Sequence, residues 1–379
     1  MNTVTIPFNK PSLVGQEMEY MLDCVQRGHI AGDGEYTRRC TSLLTQVLGS
    51  QRVLLTTSCT HALELSALLL DIRPGDEVLV PSFTFVSTVN PFVLRGAKPV
   101  FVDIRPDTLN LDETRLDSLL SACTKAIVPV HYAGVGCAID VILDISRTLG
   151  IRVVEDNAHG LYGKFKGKYL GTFGALAGQS FHETKNFTCG EGGALIINEA
   201  EYIERAEILR EKGTDRGRFL RGQVDKYSWV DMGSSYLPSD ILSAFLFAQL
   251  QARHTIQAER RVIWEYYHEN LRTWADQNEV RLPFVPADCE QPYHMYYILL
   301  PSLERRQALI SHLKNHGITA VFHYLPLHLS KMGRQFGGGK GDCPVTEDIS
   351  DRILRLPFYN TLSRTEQSQV ISSVTDFKV

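Results

Sequence analysis

The chain has 379 residues, 44% hydrophobic and 22% charged, enough for one large globular domain and a smaller one with sizeable cores. Its 39 Lys and Arg against 43 Asp and Glu leave a net charge of −4, which argues against nucleic acid as a partner. Eight scattered cysteines with no C-x-x-C pair exclude a zinc knuckle and a disulfide scaffold, and no apolar run reaches the roughly 18 residues of a membrane span. With no basic-then-apolar leader either, a reducing, cytoplasmic setting is expected.

Residues 1–50 hold polar segments, a helix expected near 15–27 and a glycine-rich turn from Gly28 to Gly34. From position 52 the pattern alternates: strand 52–56, helix 59–70, a Pro-Gly turn, strand 77–80, helix 84–94, strand 99–103, helix 112–121, strand 125–130, helix 138–149 and strand 151–155. Short apolar strands separated by amphipathic helices imply a mainly parallel sheet covered on both faces, with ligands beyond the carboxyl ends of the strands. A helix at 199–212 precedes a polar stretch, 213–235, too long for a simple connection and therefore suspected of function. Helices at 239–252 and 255–276, a strand at 295–300, a helix at 304–316 and a strand at 319–324 follow, with Gly337 to Gly341 read as a flexible loop. The division between the domains is expected near 250, giving 1–250 and 251–379.

Chemistry enters at four strand ends. Lys185 follows an apolar run ending at Phe181 and precedes the glycine-bearing turn Gly190-Glu191-Gly192-Gly193, so it lies on a loop between two strands. A desolvated lysine there can add to a carbonyl as a Schiff base; an ordinary loop lysine is a solvated charge. Asp156 ends the apolar run from Ile151, where an acid can hold a pyridinium nitrogen protonated or merely serve a turn. Leu54-Leu55-Thr56-Thr57-Ser58-Cys59-Thr60 passes from strand to helix, and its free N–H groups suit a phosphate, or Ser58 or Thr60 simply caps the helix. Phe85, just past a strand end, can lie on a flat ring or belong to the core.

Three motifs fail on inspection. Gly163 to Lys168 is one residue short of a P-loop and Tyr169 stands where Ser or Thr is needed; Gly134-Val135-Gly136 has Ile139 in place of the third glycine of a dinucleotide fingerprint; His182-Glu183-Thr184-Lys185 lacks the second histidine of a zinc helix. No metal is expected.

The four pieces, in this order, resemble the DegT/DnrJ family of pyridoxal-phosphate sugar aminotransferases over nearly the whole chain. Further matching phrases are Gly32 to Cys40, Pro129-Val130-His131-Tyr132-Ala133-Gly134, Ser180 to Lys185 and Arg221-Gly222-Gln223-Val224-Asp225-Lys226-Tyr227. The resemblance implies aminotransferase fold type I, an α/β class with a mainly parallel sheet sandwiched by helices and a smaller C-terminal α+β domain. It implies that Lys185 holds pyridoxal phosphate and moves protons, that Asp156 pairs with the ring nitrogen, and that His159 meets the phenolic oxygen. Phe85 is expected to stack on the ring, and Cys59, Thr60 and Ser180 to take the phosphate. The family's cross-subunit Gly-Tyr-Asn-Tyr-Arg reads Gly233-Ser234-Ser235-Tyr236-Leu237 here, with Ser235 a shorter substitute. Lys212, Arg216, Arg221, Lys226, His323, Tyr324 and His328 are the expected sugar-nucleotide contacts, although a solvated basic loop and a strand running into a turn would account for them too.

Within the family the likeness points to L-glutamate as donor, dTDP-4-dehydro-6-deoxy-D-glucose as acceptor and dTDP-4-amino-4,6-dideoxy-D-galactose as product, made for an enterobacterial common antigen-type surface polysaccharide. A homodimer with shared active sites is implied. Other keto-sugar aminotransferases, giving a 4-amino-glucose or 3-amino product, stay open, as does a non-catalytic regulatory or binding protein. Lys185 argues against the dehydratase branch, in which histidine replaces the lysine.

Overall fold

The computed structural model describes residues 6–378. Two helices, α1 (Glu17–Gln26) and α2 (Glu35–Leu48), precede the first strand, β1 (Arg52–Thr56). The α/β alternation then runs α3 (Cys59–Leu69), β2 (Glu77–Pro81), α4 (Asn90–Leu94), β3 (Lys98–Val102), α5 (Leu116–Leu119), β4 (Thr124–Ile127), α6 (Ile139–Leu149) and β5 (Arg152–Asp156). A short hairpin, β6 (Lys164–Phe165) and β7 (Lys168–Tyr169), leads into β8 (Leu176–Ser180) and β9 (Gly193–Ile197). Seven of these strands form one sheet in the order β1-β9-β8-β5-β4-β2-β3. The pairs from β3 through β2, β4 and β5 to β8 are parallel, while β9 runs antiparallel to both β8 and β1. Strands β8 and β9 are buried along their whole length, as a sheet with helices on both faces requires.

Helix α2 was not foreseen in the polar first 50 residues. A distant carboxylate secures its start: Asp240 accepts from the backbone N–H of Tyr36 at 3.1 Å and of Thr37 at 2.8 Å, two donors a helix start leaves without intrahelical partners. Gly34 is required there, because a Cβ would meet the Asp240 Cγ at 2.4 Å. The helix expected at 84–94 is instead a 3-10 turn, Val86–Thr88, followed by the short α4 with Pro91 in its first turn. Thr84 and Thr88 use their hydroxyls on each other and on Asp156, which sets the chain path there. The helix expected at 112–121 shrinks to a 3-10 turn and α5, started by Asp112 accepting from the Thr114 N–H.

Beyond β9 come α7 (Ile203–Arg210), α8 (Arg216–Leu220), α9 (Asp240–Gln251) and the long α10 (Arg253–Gln277), then β10 (Cys289–Glu290), β11 (Tyr297–Leu299), α11 (Leu303–Asn315), α12 (Lys331–Gln335), α13 (Pro344–Arg352), β12 (Ile353–Arg355) and α14 (Arg364–Thr375). One apolar cluster gathers Ile263, Trp264, Tyr267 and Leu271 of α10 with Leu309, Leu313, Val370 and Val374 of α11 and α14. Ile6 belongs to that cluster and bridges to Ile318, so the first described residue packs with the C-terminal segment rather than with the large sheet. The strand expected at 319–324 is a single bridge, Val321 to Arg355, because the chain turns His323 and Tyr324 toward the large sheet. Nor is 337–341 a loose loop: Gly341 donates to Glu347 Oε1 at 2.7 Å and a Cβ on Gly338 would meet the His328 carbonyl oxygen at 2.3 Å.

Candidate active site

A cavity of about 600 Å³ opens beyond the carboxyl ends of β5 and β8. Its lining brings together Cys59, Thr60, Phe85, Asp156, His159, Ser180 and Lys185 from the large sheet's strand ends with His323 and Tyr324 from the C-terminal segment.

Lys185 lies on the loop between β8 and β9, with its amine facing this cavity. Burial pushes its pKa down from 10.5 to about 8, partly offset by Cys59 and Asp156, while the Arg355 guanidinium acts in the same direction as burial. The amine is therefore much closer to neutrality at physiological pH than a surface lysine. Asp156, at the end of β5, is buried and oriented by two donors: Thr88 Oγ1 at 2.7 Å on one oxygen and the Ala158 N–H at 3.1 Å on the other. Behind it, the buried Glu155 accepts from His131, Gly171, Phe173 and Gly174, pinning the strand end to the turns around it.

The anion-binding side is the start of α3. Ser58 is its N-cap, accepting from the His61 N–H at 3.1 Å, and Thr60 donates to Ser87 at 2.8 Å. The first residue of β9 must be glycine for this helix start to sit against the sheet, since a Cβ on Gly193 would meet the Ser58 carbonyl carbon at 2.2 Å. Free N–H groups and the positive end of the helix dipole thus face the cavity beside Ser180.

Three buried histidines, His159, His294 and His323, also line the cavity. The His159 and His294 rings stack at 4.3 Å, and His323 accepts or donates through Nδ1 to the Tyr132 hydroxyl at 2.9 Å. His294 Nδ1 lies 2.9 Å from Asn186 Oδ1, the residue after Lys185. Burial, aided by the Lys185 and Arg355 charges, pushes all three far below 6.5, so they are neutral near pH 7. His159 Nδ1 is buried without a hydrogen-bond partner. That orphaned nitrogen, an acid fixed by two donors, a neutralisable amine and a helix start fit a flat heterocycle carrying a phosphate. Lys185, Asp156, His159 and the start of α3 are the residues that would hold pyridoxal phosphate.

Six predicted residues lie outside this cavity. Lys212 pairs with Glu211 at 2.9 Å, Arg216 with Glu211 at 3.5 Å and Arg221 with Glu207 at 2.7 Å, all outside the cavity lining. Lys226 is exposed on the same segment, and Ser235 is exposed and bridged to Glu211. His328 is fully buried between Ser82, 2.6 Å from its Nδ1, and Glu347, 3.1 Å from its Nε2, joining the large sheet to the C-terminal segment instead of meeting ligand. Conversely, Thr88, His294 and Arg355 belong to the site although sequence reasoning missed them. Only Arg355 carried a signal: a charge set inside the apolar run Ile353-Leu354-Arg355-Leu356-Pro357.

Among the described residues, no cluster of His, Cys, Asp and Glu is arranged to hold a metal, and no helix is long and apolar enough to cross a membrane. The mixed α/β architecture, with its mainly parallel sheet and a lysine and an acid at neighbouring strand ends, is that of the pyridoxal-phosphate-dependent aminotransferases. The chain belongs to the DegT/DnrJ/EryC1/StrS aminotransferase family, whose sequence profile matches residues 11–375. It is 29% identical over 379 residues to the spore coat polysaccharide biosynthesis protein SpsC of Bacillus subtilis, covering 98% of this chain and 96% of that one. Among solved structures it is similar to the aminotransferase TlmJ of Streptoalloteichus hindustanus, 30% identical with a TM-score of 0.89, covering 99% and 98% of the two chains. The putative sugar aminotransferase Spr1654 of Streptococcus pneumoniae, 26% identical, superposes in its pyridoxal-phosphate form with a TM-score of 0.89, covering 98% of each chain. Pyridoxal phosphate is the cofactor of the family, and Spr1654 is also known in a pyridoxamine-phosphate form.

Proposed function

We propose that this protein transfers the amino group of L-glutamate to C4 of dTDP-4-dehydro-6-deoxy-D-glucose, giving dTDP-4-amino-4,6-dideoxy-D-galactose and 2-oxoglutarate for a surface polysaccharide of the enterobacterial common antigen type. The observation that carries the reaction class is the meeting of the Lys185 amine, the Asp156 carboxylate and the start of α3 on one cavity. The likeness of the quoted sequence phrases carries the substrate, and the spore coat polysaccharide named for SpsC supports only the polysaccharide destination.

Bound pyridoxal phosphate supplies an electron-accepting ring that stabilises the carbanion left when the donor loses its α-proton. The chain's own groups do the rest. Lys185 Nζ, held near 8 by burial, takes and returns protons close to neutral pH. Asp156, fixed by Thr88 and Ala158, keeps a proton on the ring nitrogen. The start of α3, with Thr60 and Ser180, takes the phosphate, His159 the phenolic oxygen and Phe85 a ring face. In this reading residues 1–250 form the cofactor domain and 251–379 a small domain that contributes His323 and Tyr324 to the acceptor. The working form is a homodimer. Lys212, Arg216, Arg221, Lys226 and Ser235 lie outside their own cavity and serve the partner's, a reading supported by their exposure and by the exposed Trp229 on the same segment.

Purified protein supplied with pyridoxal phosphate should be yellow, and glutamate alone should bleach it; Lys185→Ala should abolish the covalent link. A wild type that stays colourless would remove the aminotransferase reading. Incubation with the dTDP-keto-sugar and glutamate, followed by NMR of the product, fixes the amine at C4 and its configuration; an equatorial amine or no product would overturn the substrate assignment.

A further inference from the structure

The three histidines of the cavity differ in what their neighbours dictate. The Tyr132 hydroxyl can give or accept a hydrogen bond, so it leaves the His323 tautomer open, and His159 Nδ1 has no partner. His294 instead faces the side-chain amide of Asn186, whose orientation is fixed. Asn186 Nδ2 donates to the Pro292 carbonyl oxygen at 2.7 Å, and that oxygen can only accept. The amide oxygen Oδ1, also only an acceptor, is therefore the atom 2.9 Å from His294 Nδ1. Nδ1 must carry the proton, and in a neutral imidazole Nε2 is then a bare lone pair. That nitrogen has no hydrogen bond to any described residue and is not sealed in protein as His159 Nδ1 is, while His294 lines the cavity.

The fold holds this ring firmly. Tyr293, just before it, adopts φ of 52°, a left-handed conformation that is strained for any residue but glycine. Arg260 of α10 closes on the same segment, with Nε donating to the Tyr293 carbonyl oxygen at 2.9 Å, Nη2 to that of His294 at 2.6 Å and Nη1 to Asn360 Oδ1 at 2.9 Å. It is buried with no acid among its partners, and burial pulls its pKa down to about 9. A desolvated guanidinium and a strained backbone at one place mark a residue whose position serves a ligand rather than the core. Asn186 follows Lys185, so the same amide ties the His294 ring to the loop that carries the lysine.

The chemistry of the reactants decides what the lone pair reads, since it needs a donor. The carboxylates of glutamate and 2-oxoglutarate only accept, and the amine of glutamate goes to the cofactor. The cofactor's phosphate and phenolic oxygen have the partners given above. Sugar hydroxyls remain. In a 4-keto-6-deoxy sugar C5 carries the methyl group and the ring oxygen, so the only hydroxyl on a carbon next to the ketone is the one on C3. His294 is close enough to Lys185 for the lysine's charge to act on it, which puts the ring at the reacting end of the cavity.

Resting on the sugar-aminotransferase reading, we infer that His294, its tautomer set by Asn186, accepts a hydrogen bond through Nε2 from the hydroxyl next to the keto carbon of the acceptor sugar. It is a specificity-determining residue, selecting a sugar with that hydroxyl over its deoxy analogue.

The test compares the dTDP-4-keto-6-deoxy sugar with its 3-deoxy analogue. Calorimetry reads their binding to the pyridoxal-phosphate form, which cannot transaminate a ketone. Wild type should bind the hydroxylated sugar about 5- to 50-fold more tightly, because the analogue leaves a desolvated acceptor unpaired. His294→Phe keeps a flat ring and should bring that ratio to within about twofold of one; a ratio taken within one variant cancels any loss common to both sugars. His294→Gln, whose amide reaches the Nε2 position, should recover part of the preference. His294→Asn, whose amide reaches only the Nδ1 position, should not, although it keeps a contact with Asn186. A purely supporting role would give the reverse order. Imidazole nitrogen NMR should show the His294 proton on Nδ1. A proton on Nε2, a wild-type ratio retained in His294→Phe, or rescue by Asn and not by Gln would overturn the assignment; if His294→Phe does not fold, the Gln and Asn variants and the NMR decide. A wild type bleached by glutamate that binds both sugars equally would overturn this inference alone. One that glutamate does not bleach would overturn the aminotransferase reading and this inference with it.

Discussion

Replacing Asp156 by asparagine separates two effects that one carboxylate has on the same cavity. In the cofactor-free protein the Lys185 amine titrates at about 8 instead of 10.5. At pH 7 about one molecule in ten then carries a neutral amine, against about one in three thousand for an unperturbed lysine, an advantage of roughly 300-fold in reactive form. Pyridoxal phosphate capture should therefore quicken about tenfold from pH 6 to 7, and level off above 8. The Asp156 charge favours protonated Lys185, so Asp156→Asn should shift this profile to lower pH and speed capture at pH 7. On the proposed reading the same change removes the acid that would keep the ring nitrogen protonated, so bleaching by glutamate should slow about 10- to 100-fold, the worth of one charge-assisted hydrogen bond. Stopped-flow absorbance between pH 6 and 10 reads the first effect, and single-turnover bleaching reads the second. A wild-type midpoint near 10.5, or a profile that moves to higher pH in the variant, would refute the account of why Lys185 is reactive.

Two further substitutions probe the supports of the site. Thr88→Val removes the 2.7 Å donor to Asp156 while keeping the side-chain shape, and glutamate bleaching should slow about 3- to 30-fold with the melting temperature little changed. An unaltered bleaching rate would show that Ala158 alone orients the acid. Asp240→Ala strips the start of α2 of the carboxylate that serves the Tyr36 and Thr37 N–H groups and the Thr37 hydroxyl, and should cost about 2–4 kcal/mol in chemical denaturation. A loss under about 0.5 kcal/mol would mean that water replaces the cap.

The sequence by itself determined the alternation of short apolar strands with amphipathic helices from 52 to 156, because a strand buried on both faces can be built only from continuous apolar residues. It also showed polar residues at strand ends, Ser58 and Asp156 within that stretch and Lys185 beyond it, because polarity that interrupts apolar runs is visible without coordinates. Helix α2 escaped because its N-terminus is capped by a carboxylate more than 200 positions away, which no local pattern announces. The 3-10 path through Val86–Thr88 escaped for the same reason, since its threonines answer to Asp156 on another strand.

Tertiary structure alone decided which charges face which cavity. His323, Tyr324 and Arg355 reach the site from the C-terminal segment, while His328, four residues past Tyr324, is spent on Ser82 and Glu347. Sequence spacing puts His323, Tyr324 and His328 on one short stretch, but a side chain's direction depends on the partners that satisfy it when buried, and those partners are brought up by folding.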